Sequence, residues 1–241
     1  MLKPMRFAVA ERIAQSLEEL GRFELSFVSA EIFFSKEGDF RDLCDLFTPL
    51  PFKLSRTLNL SPLEVAVFIQ QRIASDLFER VEAASPGYLN FFLRDRFLFE
   101  QLGSEPALPE ESPLCPPFWE EDVGPETLEN PRFALRHARD QILCFRRMAK
   151  EKGLRTSRVL DRTLCPEERR LLLALIRCSE ESAHLEARAR ELSEAYRDFH
   201  RECRILSGGK MAGVRLALAY GMETMLSDSI CRLDRSQAAR V

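Results

Sequence analysis

The sequence predicts two fold classes in one chain: an α+β N-terminal domain with a small antiparallel sheet, followed by an all-α helical bundle. Before residue 95, helical and strand-like patterns mix without a repeating βαβ unit. After residue 130, the apolar residues recur at helical spacing. The segment between is dense in proline and acidic residues, which is typical of a linker. We therefore expect domains at residues 1–94 and 130–241, joined by an acidic, proline-rich linker at 95–129.

The first elements of the N-terminal domain are expected to alternate between helix and strand. Residues 5–20 form an amphipathic pattern that predicts a helix. Residues 23–34, FELSFVSAEIFF, are rich enough in β-branched and aromatic side chains to predict a strand or a strand pair. Asp39 is placed to cap a short helix that runs to Phe47.

A second helix of this domain has a clear start. Ser61 is the candidate N-cap, Pro62 takes the first helical position, and Glu64 completes a capping box.

The stretch SPGYLNFFL, residues 85–93, carries the sharpest local pattern. Its Ser-Pro-Gly turn separates two strand-like runs, FERVEA and YLNFFL, and predicts a hairpin. Strict alternation in the second strand gives an apolar core face of Leu89, Phe91 and Leu93. The other face carries Tyr88 and Asn90, which can stack on a ligand and form hydrogen bonds with it.

The C-terminal part is expected to be entirely helical. Helical patterns run over residues 130–153, 165–178, 184–206 and 211–233, with glycine breaks after the first and third. Four helices joined by short connections predict a bundle.

Composition and charge narrow the class of protein. The chain has 241 residues, of which 45% are hydrophobic and 30% charged, as in soluble globular proteins. No apolar run reaches the length of a membrane span or of a signal-peptide core, so we expect a cytoplasmic protein without a membrane partner. Residues 1–94 carry a net charge of −2, residues 95–130 of −9 and residues 131–241 of +8. The positive charge is mostly arginine, whose planar guanidinium suits phosphate contacts.

No residue pattern predicts catalysis. The seven cysteines are dispersed and the three histidines form no Cys/His cluster, which indicates reduced thiols and argues against a zinc site. There is no phosphate-binding loop and no G-x-S-x-G run. We therefore expect no catalytic residue, no metal, no cofactor and no enzymatic activity.

In order along the chain, the motifs resemble those of arginyl-tRNA synthetase without its catalytic domain. Residues 1–94 resemble the N-terminal domain of that family through GDF at 38–40, SPLEVAVFIQQRI and VEAASPGYLNFFL. Residues 130–233 are similar to its DALR anticodon-binding bundle through NPRFALRHARDQI, AYRDFHRECRIL and VRLALAYGMETML. The H-x-G-H and K-M-S-K-S signatures of the family are absent, so the resemblance implies no activation of arginine.

The resemblance also implies where RNA would bind. In the N-terminal domain, Tyr88 would stack on an unpaired base at the tRNA corner while Asn90 reads the edge of that base. In the bundle, the implied anticodon-arm residues are His137, Arg139, Tyr196 and His200. The implied phosphate contacts are Arg136, Arg146 and Arg147.

Three functional hypotheses follow. The first is a non-catalytic tRNA-binding protein that acts in translation as an adaptor, chaperone or regulator. Its first expected partner is tRNA-Arg, with a tRNA-modifying enzyme or a synthetase as a further partner. The second is a protein-interaction module that has lost direct RNA binding, a loss favoured by the negative charge of residues 1–130. The third is a subunit of a split synthetase, which requires a catalytic partner.

Overall fold

The computed structural model describes residues 4–35, 44–73, 76–102, 127, 130–157, 159–180, 185–207 and 211–223. The chain divides into two compact units, Met1–Leu98 and Phe99–Val241. Most of the predicted linker, the GDF motif and the C-terminal tail lie outside the described residues. No helix in the described ranges is long and apolar enough to cross a membrane.

The first unit is α+β, as the sequence predicts. Its helices and strands are α1 (Met5–Ser16), α2 (Leu25–Ala30), β1 (Phe33–Phe34), β2 (Leu46–Thr48), α3 (Leu50–Leu58), α4 (Pro62–Arg72), β3 (Phe78–Ala84), β4 (Tyr88–Leu93) and most of α5 (Asp95–Glu100), whose last two residues fall in the second unit. The four strands form one antiparallel sheet in the order β1-β2-β4-β3. The second unit is helical, with α6 (Pro131–Glu151), α7 (Pro166–Glu180), α8 (Leu185–Glu202) and α9 (residues 211–223).

Two predictions for the first unit are confirmed in detail. The β3–β4 hairpin forms around the turn at Gly87, with Ala84 opposite Tyr88. The capping box of α4 is also present: the Glu64 N–H donates to Ser61 Oγ (3.3 Å) and the Ser61 N–H donates to the Glu64 carboxylate (2.7 Å). Both features depend only on neighbouring residues, which is why the sequence reveals them.

Two other predictions are wrong. The strand expected over residues 23–34 is helical at Leu25–Ala30 and extended only at Phe33–Phe34. The helix expected to reach Phe47 is instead strand β2 at that residue. At Phe47 pairing across the sheet overrides local propensity, because Phe47 pairs with Phe33 on one side and Asn90 on the other. Helix α3 was not predicted, and α5 occupies the first six residues of the predicted linker.

A few polar side chains form hydrogen bonds with backbone groups at the ends and the edge of the sheet. The buried Asp45 carboxylate accepts a hydrogen bond from the Leu93 N–H at 2.6 Å, which fixes the end of β4. Thr48 Oγ1 donates to the Glu31 carbonyl (2.6 Å) and accepts from the Leu50 N–H (3.1 Å). The Gln70 amide bonds to the backbone of Val81 and Ala83 and so covers the outer edge of β3.

The turn before β4 requires glycine for two reasons. Gly87 has φ +151°, and a Cβ there would lie 2.4 Å from Pro62 Cβ at the start of α4. Gly21 has a similar φ of +148°, but a Cβ there would meet nothing closer than 3.9 Å. An alanine at either position is therefore strained in its backbone, but only an alanine at position 87 would also overlap a neighbouring residue.

We expect Gly87→Ala to destabilise the first unit by about 2–4 kcal/mol, since strain and overlap act together. Gly21→Ala, its matched control, is expected to cost about 1–2 kcal/mol from backbone strain alone. Amide hydrogen exchange of peptides from β3 and β4, measured for both variants, gives the local free energies. Equal losses in the two variants would contradict the tight packing of the turn on α4.

Candidate nucleic-acid interface

One face of the first unit's sheet is partly open and rich in aromatic residues. Phe33, Phe47, Asn90 and Glu82 lie directly opposite one another across the four strands. Opposed residues of antiparallel strands point to the same face, so the four form one row. Phe33 is 41% exposed, and Phe47 and Asn90 are half-buried. We call Phe33, Phe47, Tyr88 and Asn90 the aromatic sheet face.

Tyr88 forms the most accessible ring on β4. Its side chain is 38% exposed, while its neighbour Leu89 is fully buried on the opposite face. The rings of Phe47 and Phe52 meet Tyr88 edge-on, with centroids 6.3 and 5.1 Å away. These contacts hold the Tyr88 ring in place, and the part of it that remains exposed to solvent is a fixed surface on which a planar group can stack. Asn90 follows two residues later on the same face, with an amide that can donate and accept hydrogen bonds.

The charges beside the aromatic sheet face neutralise each other. Arg80 lies over the Phe92 ring, with Cζ 3.8 Å from the centroid, and also pairs with Glu82 at 3.2 Å. This arginine is therefore committed to contacts within the sheet. The face favours stacking and hydrogen bonding over attraction of phosphate.

In the second unit, three of the predicted residues line one cleft. His137 on α6 and Tyr196 and His200 on α8 border a cleft of about 410 Å³. The Tyr196 and His200 rings are nearly parallel, with centroids 6.1 Å apart, and His200 also contacts Phe145. His137 stacks on Phe133 with an interplanar angle of 10°. The remaining lining residues are Ala134, Ala138, Gln141, Arg190, Ser193, Glu194 and Arg197.

Tyr196 is a buried member of this cleft. Its side chain is only 2% exposed, and its hydroxyl has no hydrogen-bond partner among the described residues. Burial raises the pKa of Tyr196, so the hydroxyl keeps its proton at neutral pH. A ligand that reached Tyr196 through the cleft could satisfy this group, whereas open stacking on its ring is not available.

His200 favours the neutral imidazole. Burial, and secondarily the charge of His137, lower the pKa of His200 below its ordinary value. A neutral imidazole can both donate and accept a hydrogen bond, and it can stack without carrying a charge. The cleft is therefore aromatic and polar, with its positive charge at Arg190 and Arg197.

The other predicted arginines do not belong to the cleft. Arg139 and Arg146 lie near Glu223 of α9, and Arg146 approaches that carboxylate to 3.7 Å. Burial raises the pKa of Glu223, and the charges of Arg146 and Arg139 oppose that rise. Arg136 is half-buried and Arg147 is exposed. Of the predicted phosphate contacts, Arg147 is thus the one most accessible to an outside ligand.

The sequence alone missed several residues of both surfaces. Phe33, Phe47 and Phe52 join Tyr88 only through strand pairing and packing. The one signal for them was the high density of aromatic residues before residue 53. Arg190 and Arg197 are seven residues apart, so the sequence places them on one face of a helix. It does not show which helix packs beside that face to form the cleft.

One cluster has side chains of the kind that bind metals. Ligand atoms of Cys165, Glu168 and Cys203 lie within 4.8 Å of one another. However, the fully buried Glu168 carboxylate already accepts hydrogen bonds from Arg162, Arg215 and the Cys165 N–H. Two guanidinium groups on that carboxylate oppose a divalent cation, so the donor set fits a metal poorly.

Comparisons with known proteins place the first unit in a family. Residues 8–93 match the family model described as the arginyl tRNA synthetase N terminal domain. An arginine–tRNA ligase of Thermotoga maritima is 37% identical over 59 residues, 24% of this chain and 11% of that protein. An arginine–tRNA ligase of Hydrogenovibrio crunogenus is 41% identical over 61 residues, 25% of this chain and 10% of that protein. The matched segments span about a tenth of the length of these relatives.

Among solved structures, Thermus thermophilus arginyl-tRNA synthetase is 20% identical, with a TM-score of 0.32 over 98% of this chain and 38% of that chain. The resemblance predicted for the N-terminal domain is confirmed over residues 8–93. The resemblance of residues 130–233 to a DALR bundle stays a prediction.

The lowered pKa of His200 predicts loss of stability on mild acidification. As pH falls through about 6.5, the unfolded chain binds a proton that the folded chain does not, so unfolding becomes more favourable. The loss is complete below the folded pKa. We expect His200→Gln to flatten the fall in Tm between pH 7.5 and 5.5. His137→Gln, which removes only the secondary cause, should flatten it less, and identical slopes for all three proteins would contradict the assignment.

Proposed function

Because residues 8–93 form an arginyl tRNA synthetase N-terminal domain, we propose that this chain is a non-catalytic tRNA-binding protein. It grips the tRNA corner with its first unit and the anticodon arm with its second, and tRNA-Arg is its first expected ligand. No H-x-G-H run occurs in the 241 residues, so the chain binds tRNA without activating arginine itself. The bound tRNA would be presented to a partner such as a modifying enzyme or a synthetase.

The observation that carries this proposal is the aromatic sheet face. An exposed aromatic ring that is held by two neighbouring rings, with an amide two residues along the strand, suits an unpaired base. Unpaired RNA bases are recognised in this way, by stacking combined with hydrogen bonds to the base edge. The corner of a tRNA offers such bases.

The cleft of the second unit supports the anticodon-arm contact. It combines the imidazole rings of His137 and His200 with guanidinium groups at Arg190 and Arg197. Rings suit the bases of a single-stranded loop, and guanidinium groups suit the phosphates on either side. The net charge of +8 over residues 131–241 would draw the RNA backbone to this unit.

A protein-interaction module, or a subunit of a split synthetase, is the second candidate. Leu60 lies just before α4 and Leu63 and Val67 lie on it, and 36–39% of each residue's surface is exposed. An exposed apolar group of this kind suits a protein partner better than RNA. Purification from native lysate separates the candidates: RNA that co-purifies favours the first, and a protein that co-purifies after nuclease treatment favours the second.

Replacing both polar residues of the aromatic sheet face tests the proposal. We expect Tyr88→Ala with Asn90→Ala to weaken tRNA binding by about 1–3 kcal/mol per lost stack, or roughly 5- to 150-fold. Tyr88→Phe keeps the ring and should retain most of the affinity. Phe27→Ala removes an equally exposed aromatic residue outside the sheet (40% exposed) and serves as the matched control. Equal affinity in the double variant and the wild type at low salt would refute this contact.

Arg147 tests the phosphate contact in the second unit. Arg147→Gln should weaken binding across tRNA sequences and reduce the slope of log K against log salt by about 1. Arg201→Gln is the control, because Arg201 is also exposed but pairs with Asp198 and Glu202. A salt slope that changes in the control and not in Arg147→Gln would contradict the assignment.

A further inference from the structure

The thiols of Cys165 and Cys203 are in contact at one end of the antiparallel pair of helices α7 and α8. Cys165 directly precedes α7 and Cys203 directly follows α8, and their Sγ atoms lie 3.6 Å apart. The two helices run antiparallel, with ion pairs between Arg170 and Asp198 and between Arg177 and Glu191 along their length. Cys165 and Cys203 continue the same register, so the contact between the thiols follows from how the helices pack.

The carboxylate beside the thiols does not make them a metal site. Glu168 is fully buried, with Arg215 Nε 2.7 Å from Oε1, Arg162 within 3.3 Å, and the Cys165 N–H 3.0 Å from Oε2. These contacts satisfy the carboxylate and fix the backbone of Cys165. Glu168 thus helps to position the Cys165 thiol next to the Cys203 thiol. Because its carboxylate is already bound by two arginines, the reactive groups of the cluster are the two thiols.

We propose that Cys165 and Cys203 form a reversible disulfide by exchange with a low-molecular-weight disulfide such as oxidised glutathione. The Cys165 thiolate attacks one sulfur of the small disulfide, giving a mixed disulfide and one small thiol. The Cys203 thiolate then attacks the Cys165 sulfur and releases the second small thiol. Two protein thiols are oxidised, one small disulfide is reduced, and the two protons end on the two released thiols.

The geometry sets both the order and the rate of these steps. Cys165 is half-buried and Cys203 is 4% exposed, so an outside reagent reaches Cys165 first. Burial raises the pKa of both thiols, that of Cys203 to about 12, so little thiolate is present at neutral pH and exchange is slow. A disulfide bond of about 2.05 Å requires the sulfurs to approach by about 1.5 Å. Cys203 lies outside the regular helix, where the backbone can supply this movement.

The disulfide would act on the end of α8 that borders the cleft. Cys203 follows His200 by three residues, and its N–H bonds to the Phe199 carbonyl. A cross-link there closes the chain between α7 and α8 and fixes the segment that carries Tyr196 and His200. The proposal does not depend on the identity of the ligand in the cleft.

The test is made on the full chain. The reduced protein is incubated with oxidised glutathione, its remaining thiols are blocked, and tryptic peptides are mapped by mass spectrometry without reduction. We expect the peptide containing Cys165 to be joined to the peptide containing Cys203, and the link to disappear with dithiothreitol. Oxidation should raise Tm by roughly 5–10 °C.

Variants separate this pair from the other cysteines. Cys165→Ser and Cys203→Ser should each abolish the linked peptide and the rise in Tm. Cys144→Ser, at an exposed cysteine of α6, should leave both unchanged. If a variant does not fold, the peptide map of the wild-type protein still shows whether Cys165 and Cys203 are linked. A stable glutathione adduct on Cys165, a link between other cysteines, or a rise in Tm with Zn²⁺ that requires Cys165 and Cys203 would overturn the proposal.

Discussion

Strand β4 pairs with β2 on one side and with β3 on the other, and this central position fixes both faces of the sheet together. In this register Leu89, Phe91 and Leu93 are fully buried, and Tyr88 and Asn90 face outward. A slip of one residue would bury the polar side chains and expose the apolar ones, so the core itself enforces the register. The open aromatic face therefore depends on the same pairing that holds the first unit together.

The two units offer RNA different chemistry. The first has a sheet face of rings and an amide, and its nearby charges are paired with each other. The second has a cleft that combines rings with guanidinium groups, in the part of the chain that carries the net positive charge. Stacking gives modest affinity that tolerates sequence, while phosphate contacts give long-range attraction that falls with salt. In the proposed function, the first unit contributes stacking on a base, and the second adds the phosphate contacts that the first lacks.

The sequence predicted the features that depend on adjacent residues and missed those that depend on distant ones. The capping box at Ser61 and the hairpin before Leu93 were visible because their patterns lie within a few residues. The strand at Phe47 was not, because its partners are Phe33 and Asn90. The same holds for the sites: Tyr88 could be picked from alternation, but the burial of Tyr196 is set by packing between helices.

Ultraviolet cross-linking of the chain to tRNA-Arg, with mass spectrometric mapping of the joined peptide and nucleotide, reports whether β4 contacts the RNA. We expect a cross-link between the β4 peptide, at Tyr88, and an unpaired base at the tRNA corner, and we expect its loss in Tyr88→Ala. Cross-links confined to other peptides, with β4 unmodified at saturating tRNA, would contradict this contact.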